Sequence, residues 1–215
     1  MVHILGNSNS IINNFIAELR DVEVQKDRMR FRRNLERMGE IFAYEISKHL
    51  SYTFREVITS LGVANVPVLS EQPVVATILR AGLPLHQGLM NYFDQADNAF
   101  VSAYRKHHKD GSFDIKVEYV SSPQLHDRIL ILCDPMLATG SSIVLTYKEL
   151  LRKGIPSHVH FVTAIASAEG VEYVKSHLSS NVTIWVGAMD EELTAHSYIV
   201  PGLGDAGDLA FGLKT

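Results

Sequence analysis

The chain has 215 residues, of which 46% are hydrophobic and 20% are charged, and this composition is typical of a globular protein with one large domain. Its formal charge of −4 gives no support to nucleic-acid binding driven by net charge. The one cysteine, Cys133, excludes an internal disulfide framework and a multi-cysteine zinc site. Because the sequence has no apolar run that could span a bilayer and no charged-then-apolar leader, we expect a cytoplasmic protein without a membrane or nucleic-acid partner.

The predicted elements begin with helices and then alternate between strands and helices. Apolar residues at helical spacing predict helices over 10–20 and 27–50, and a short helix over about 52–61 that ends at Gly62. Further strands are predicted over 74–79, 99–105, 115–122, 129–134, 158–167 and 182–190, and further helices over 84–93, 143–154 and 168–178. This alternation predicts an α/β fold in which a largely parallel twisted sheet is flanked by helices.

The stretch Ile129–Ser142, ILILCDPMLATGSS, combines a buried strand, an acid and a loop of small residues before a helix. Asp134 ends the aliphatic run, and Thr139-Gly140 precedes two serines. The free N–H groups and the dipole of a helix N-terminus favour a phosphate, and small residues let the backbone approach it. The sequence therefore favours a phosphate site over the alternative, an ordinary strand–turn–helix unit with Ser142 as N-cap.

Two arginines also lie at predicted strand ends. Arg80 ends a strand before a small-residue turn and Pro84, and Arg105 ends the next strand beside Tyr104. A guanidinium group suits a pyrophosphate, and ligands of parallel sheets bind at the carboxyl ends of the strands. We therefore expect both arginines in one cleft with Asp134. The alternatives are a surface ion pair for Arg80 and a solvated basic loop for residues 106–109.

The C-terminal stretch Gly202–Gly207 matches the pattern G-x-G-x-x-G, but too few residues follow it for a dinucleotide-binding unit. It predicts an ordered glycine-rich loop whose backbone can hydrogen-bond a flat ligand, with Asp205 and Asp208 beside it. A C-terminal turn without function is the alternative. The arginine-rich run Lys26–Arg37 is interpreted as a solvated helix face, with a partner or effector surface as its alternative.

ILILCDPMLATGSS resembles the ribose-phosphate loop of type I phosphoribosyltransferases, and its DPMLATG wording resembles the uracil phosphoribosyltransferase family. LRAG at 79–82, Tyr104-Arg105 and YIVPGLGDAGD at 198–208 are similar to that family in the same order. The resemblance covers about residues 74–212. It implies one phosphoribosyltransferase domain over 1–215. The implied parts are a helical N-terminal segment to about 62, an α/β core over about 63–190, and a base-binding C-terminal segment over about 191–215 that forms a small hood with the N-terminal segment.

The resemblance implies transfer of a phosphoribosyl group from 5-phospho-α-D-ribose 1-diphosphate (PRPP) to uracil in pyrimidine salvage, with Mg²⁺ bound mainly through PRPP. It implies Asp134, Asp205 and Arg105 as catalytic residues. The implied PRPP-binding residues are Arg80, Arg105, Asp134, Pro135, Met136, Leu137, Ala138, Thr139, Gly140, Ser141, Ser142 and Asp205. The implied uracil-binding residues are Ile199, Gly204, Asp205 and Ala206. It also implies a homodimer or higher homo-oligomer, while activation by GTP stays open.

Three features depart from the pattern of the family. Ser141 replaces a usual glycine, Leu209 replaces a commonly basic residue, and the loop over 106–109 is basic where the family version is usually acidic. Two other functions stay open: a phosphoribosyltransferase for another base, such as a purine, and a non-catalytic regulator that senses PRPP or a nucleotide. The intact YIVPGLGDAGD stretch argues against both.

Overall fold

The computed structural model describes residues 1–107, 113–178 and 181–213, without the side chains of residues 103–116. The N-terminal part contains β1 (Val2–Ile4), a 3-10 turn (Leu5–Asn7), α1 (Ile12–Arg20), a second 3-10 turn (Val24–Lys26), α2 (Arg28–Ser47), β2 (Tyr52–Ile58) and β3 (Val63–Leu69). The core contains β4 (Val74–Leu79), α3 (Leu83–Met90), β5 (Asp97–His107), β6 (Phe113–Ser121), β7 (Ile129–Cys133), β8 (Met136–Leu137), α4 (Ser141–Leu150), a 3-10 turn (Leu151–Lys153), β9 (His158–Ser167), α5 (Ala168–His177) and β10 (Val182–Asp190). The C-terminal segment contains β11 (Glu192–Leu193), β12 (Ile199–Val200) and α6 (Ala206–Phe211).

The central sheet has the order β1-β10-β9-β7-β4-β5-β6, with the short β8 also paired to β9. Its described neighbours run parallel except for β5 and β6, which are antiparallel. The predicted α/β fold with a largely parallel sheet is therefore confirmed. Among the described residues, no helix is both long and apolar enough to cross a bilayer.

Helices cover both faces of the sheet. Successive residues of its central strands are therefore buried against helices on opposite sides. Val75 packs in a core cluster with Leu35 of α2 and Leu85 of α3. Its neighbour Val74 packs in a second cluster with Tyr147 of α4. Strands buried on both faces form continuous apolar runs rather than alternating ones, which is why the sequence pattern located them.

The helix predicted over 52–61 is wrong. Residues Tyr52–Ile58 form β2, which pairs antiparallel with β3 in a two-stranded hairpin whose connection contains Gly62. The segment is rich in β-branched and aromatic residues, which favour strands. Every residue of β2 is exposed, so no buried stripe was present to indicate the element type.

Candidate functional site

The predicted phosphate loop lies at the carboxyl end of β7 and stays attached to β9. The Asp134 N–H donates to the Val162 carbonyl over 3.0 Å, and the Ile165 N–H donates to the Pro135 carbonyl over 3.0 Å. Pairing with β9 then resumes in β8. The backbone is therefore fixed on both sides of Asp134.

The loop ends at Gly140, which is the N-cap of α4 and has a left-handed backbone with φ of +80°. Gly140 offers no side chain to cap the helix, and the first N–H groups of a helix lack intrahelical acceptors. The alternative in which Ser142 is the N-cap is wrong, because α4 begins at Ser141. An open pocket lies here. Its lining residues are Asp134, Met136, Leu137, Ala138, Thr139, Gly140, Ser142 and Ile143.

Helix α5 supports the loop from behind, through residues that sequence analysis missed. The buried Ser167 hydroxyl donates to the Ala138 carbonyl over 2.6 Å and accepts from the Gly170 N–H over 2.8 Å, so that it also caps α5. A Cβ at Gly170 would collide with the Ala138 carbonyl. Serine directly before a helical run is a typical N-cap signal, and it could have identified Ser167.

Arg80 follows β4, the strand beside β7. Its Nη2 donates to Asp208 Oδ1 over 3.2 Å and to the Gly212 carbonyl over 2.9 Å. Its Nε is buried and has no hydrogen-bond partner among the described residues. Arg80 therefore links the carboxyl end of β4 to the C-terminal segment. Asp208 is the carboxylate partner in the ion pair that the sequence left open as the alternative for Arg80.

The backbone of Arg105 lies in β5, where it pairs with Ile115 of β6. Strand β5 is the neighbour of β4, so Arg80 and Arg105 belong to adjacent strands. The side chains of Tyr104, Arg105 and residues 106–109 lie outside the described part of the chain. The role of Arg105 therefore stays a prediction.

The C-terminal glycine loop is ordered and continues into the short helix α6, which the sequence did not predict. Asp205 caps α6 by accepting from the Asp208 N–H over 3.0 Å. Gly204 has a φ of +100°, and a Cβ there would meet nothing closer than Leu209 at 3.7 Å. The Ile199 and Ala206 side chains are buried in the core, so their backbone groups are what these residues offer to a ligand.

The structure joins the predicted residues into two groups. One is the pocket of residues 134–143, and the other is the C-terminal segment with Arg80. Residues 199–206 are not among the lining of that pocket.

The arginine-rich run contains residues in two different environments. Arg30 pairs with Glu18 at the surface, while Arg32 donates to the Ala210 carbonyl over 2.6 Å. The solvated-face interpretation therefore holds for Arg30 and is wrong for Arg32.

Cys133 and the acidic residues of the candidate site lie in different environments. Burial raises the pKa of the Cys133 thiol to about 12, so it is a core residue and not a nucleophile. In the described part of the chain, no group of three or more His, Cys, Asp or Glu side chains is arranged to hold a metal ion. Asp134 and Asp205 supply oxygen atoms of the kind that Mg²⁺ prefers.

A largely parallel sheet, with a glycine-capped helix start shortly after the acid that follows a central strand, is the arrangement that the sequence motifs predict for a type I phosphoribosyltransferase. The model of the uracil phosphoribosyltransferase family matches residues 7–213. A uracil phosphoribosyltransferase of Porphyromonas gingivalis is 55% identical over 210 residues, which cover 98% of this chain and 97% of the relative. The chain belongs to the uracil phosphoribosyltransferase family, whose members are pentosyltransferases, as the sequence motifs predict.

Two solved structures share the fold of this chain. A protein of Aquifex aeolicus superposes with a TM-score of 0.87 at 30% identity, with 99% of both chains covered. A hypoxanthine phosphoribosyltransferase of Staphylococcus aureus superposes with a TM-score of 0.50 at 13% identity over 86% of this chain and 83% of its own. At that low identity the second likeness shows the fold alone.

Proposed function

We propose that the chain transfers the phosphoribosyl group of PRPP to uracil and releases diphosphate and UMP. The observation that carries this proposal is the glycine-capped start of α4 directly after Asp134, in a chain of this family. In the reaction the bond between ribose C1 and the diphosphate oxygen breaks, a bond from C1 to uracil N1 forms, and the N1 proton is released. The relative from Porphyromonas gingivalis carries the same activity in its name.

The 5′-phosphate of PRPP binds in the pocket of residues 134–143. First-turn N–H groups of α4 donate to its oxygen atoms, and the Thr139 and Ser142 hydroxyls add two donors. Residues 135–138, Gly140 and Ser141 shape this pocket through their backbone. The positive end of the α4 dipole stabilises the negative charge.

The charged residues stabilise the diphosphate and the ribose while the bond between them breaks. The departing diphosphate gains negative charge, which Arg80 and Arg105 stabilise. The buried Nε of Arg80 supports this role, since a buried donor without an acceptor is costly and a diphosphate oxygen would satisfy it. The ribose gains positive charge, which the Asp134 and Asp205 carboxylates offset.

We also propose Mg²⁺ as the metal of the reaction, bound mainly through PRPP. Mg²⁺ typically keeps several waters and binds one or two carboxylates together with substrate phosphates. Asp134 and Asp205 fit that pattern. When bound, the metal neutralises part of the diphosphate charge.

Uracil is bound by the backbone of residues 199–206, with Asp205 between uracil and PRPP. Gly204 is exposed, and a Cβ there would make only an ordinary contact with Leu209 at 3.7 Å, which supports this placement because the space in front of its backbone can admit a flat ring. Uracil offers an acceptor–donor–acceptor edge that N–H and C=O groups can pair. Cytosine reverses part of this edge and would leave buried groups unpaired, at a cost of about 1–3 kcal/mol for each group.

The test is incubation of the purified chain with PRPP, Mg²⁺ and a panel of free bases, followed by detection of the nucleotide formed. We expect UMP from uracil and little product from cytosine or purines. Gly204→Val should abolish uracil use, because its φ of +100° disfavours a branched side chain and the side chain would fill the open space. A purine nucleotide would indicate a transferase for another base, and the absence of any product would indicate a PRPP- or nucleotide-sensing regulator.

The proposal includes a cytoplasmic homodimer or higher homo-oligomer without a nucleic-acid or membrane partner. The hairpin β2–β3 supports self-association, since Phe54 is 77% exposed, Ile58 is 87% exposed and Leu61 is 98% exposed. An isolated two-stranded hairpin is marginally stable in water, and exposed apolar patches mark interaction sites. Arg55 and Glu56 on the same strand provide opposite charges that a second copy, related by a two-fold axis, can pair.

A further inference from the structure

A bidentate ion pair joins the last residue of α1 to the last residue of β10. The Arg20 guanidinium donates to both carboxylate oxygens of Asp190, over 2.8 Å from Nη1 and 2.7 Å from Nη2. The Asp190 side chain is 8% exposed and the Arg20 side chain is 22% exposed. Sequence analysis singled out neither residue.

The same two side chains hold both polar backbone groups of Gly202. Arg20 Nη1 donates to the Gly202 carbonyl over 2.9 Å, and the Gly202 N–H donates to Asp190 Oδ2 over 3.0 Å. Gly202 has a φ of +54°, and a Cβ there would collide with the Ile199 carbonyl. One residue of the glycine loop is therefore fixed on the carboxyl end of β10, two positions before Gly204.

We propose that Arg20 and Asp190 are positioning residues that set the orientation of the loop over residues 199–206, and through it the affinity and selectivity for uracil. This inference rests on the proposed function, in which the backbone of that loop binds the base. Because the loop would use several backbone hydrogen bonds at once, a small shift of the loop weakens all of them. The phosphate pocket is lined by other residues. Asp205 is the one residue of the loop that is also assigned to PRPP, so PRPP binding is expected to depend less on the pair than uracil binding does.

The chain offers a matched control on the same helix. Glu18 of α1 forms an equally bidentate pair with Arg30, with distances of 2.9 Å from Nε and 2.6 Å from Nη2. Neither Glu18 nor Arg30 forms a hydrogen bond or an ion pair with residues 199–206. Glu18→Gln therefore measures the general effect of breaking an arginine–carboxylate pair of α1.

The experiment compares steady-state kinetics of the wild-type chain, Asp190→Asn, Arg20→Lys, Arg20→Ala and Glu18→Gln, each checked by thermal unfolding. The Asp190→Asn change can keep an oxygen acceptor for the Gly202 N–H, but it removes the charge and places an amide NH2 opposite Arg20 Nη2. Arg20→Lys keeps the charge and removes the two-pronged geometry. We expect Asp190→Asn and Arg20→Ala to raise the uracil KM by about tenfold or more and to change the PRPP KM by less than about twofold. Arg20→Lys should fall between Arg20→Ala and the wild type, and cytosine should be discriminated less strongly.

A merely structural role would lower kcat through a smaller folded fraction and leave the uracil KM unchanged. A uracil KM like that of Glu18→Gln, or a joint rise of both KM values, would overturn the inference. If Asp190→Asn does not fold, Arg20→Lys carries the same comparison. If the wild-type chain forms no UMP, the proposed function fails and the inference fails with it, whereas UMP formation with unaffected variants overturns the inference alone.

Discussion

Asp134 and Cys133 show how sharply the environment changes across one peptide bond at the end of β7. The Cys133 thiol is fully buried, and burial raises its pKa to about 12. Asp134 is partly exposed and lines the pocket, while its N–H remains bonded to Val162 of β9. A strand end can therefore fix the backbone of a residue and still present its carboxylate to a ligand.

Asp134→Asn should lower kcat by about 100-fold or more, because the amide cannot offset the positive charge of the reacting ribose. The melting temperature should stay near that of the wild type, because asparagine has nearly the same shape and the backbone bond to Val162 remains. Initial rates with saturating PRPP and uracil, together with a thermal melt, make the comparison. The exposed Asp127 provides the control, since Asp127→Asn should change neither quantity. Unchanged turnover in Asp134→Asn would remove this carboxylate from the reaction.

At the scale of elements, the sequence predicted the strands that are buried on both faces. The predicted bounds 74–79, 158–167 and 182–190 agree with β4, β9 and β10. Each of these strands is a continuous apolar run bounded by turn residues, which indicates where the strand begins and ends. Strand β2 was predicted as part of a helix over 52–61, and no residue of β2 is buried. The sequence pattern works through burial, and it fails for a strand whose residues are all exposed.

Tertiary contacts explain the other elements and site residues that the sequence did not predict. β8 has only two residues and exists through its pairing with β9. The six-residue helix α6 is too short to be stable alone, and the bonds of Arg32 and Arg80 to its terminal carbonyls stabilise it. The strand–loop–helix arrangement around Asp134 was predictable because its residues are contiguous. The Arg20–Asp190 pair was not, because its members are 170 positions apart.

The hairpin is the element whose proposed role is most easily tested. Phe54→Ser combined with Ile58→Ser should convert the proposed oligomer to a monomer, because these side chains are 77% and 87% exposed in a single chain. Size-exclusion chromatography with light scattering measures the mass, and circular dichroism checks the fold. Ile155→Ser is a suitable control, since Ile155 is also exposed but lies outside the hairpin. A wild-type chain that is already monomeric would contradict the proposal.

At the scale of the whole molecule, a group of histidines joins the first strand to the centre of the sheet and to the end of α2. His3 of β1 stacks on Trp185 of β10 with ring centroids 4.3 Å apart, and His49 approaches the same ring at 5.2 Å. Trp185 Nε1 donates to His160 Nδ1 of β9 over 3.0 Å, so His160 accepts as a neutral ring. His158 lies beside His160 at 4.7 Å.

Burial lowers the pKa of His160 to about 3, and burial also lowers the pKa values of His3 and His158. In the unfolded chain these rings have the ordinary pKa of about 6.5 and bind protons first as the pH falls. The stability that the neutral rings contribute is therefore complete above about pH 6.5 and is lost progressively from there toward pH 3. His160 alone should cost about 2 kcal/mol of unfolding free energy at pH 5.

Urea unfolding at pH 7.5 and pH 5 measures this loss. His160→Gln should reduce the difference between the two pH values by about 2 kcal/mol, because glutamine can accept from Trp185 but cannot be protonated in this range. The variant need not be as stable as the wild type at pH 7.5, since only the difference between the two pH values reports on titration. An equal pH dependence in His160→Gln and the wild type would show that acid destabilises the fold elsewhere, with the carboxylates of the ion pairs as the next groups to test.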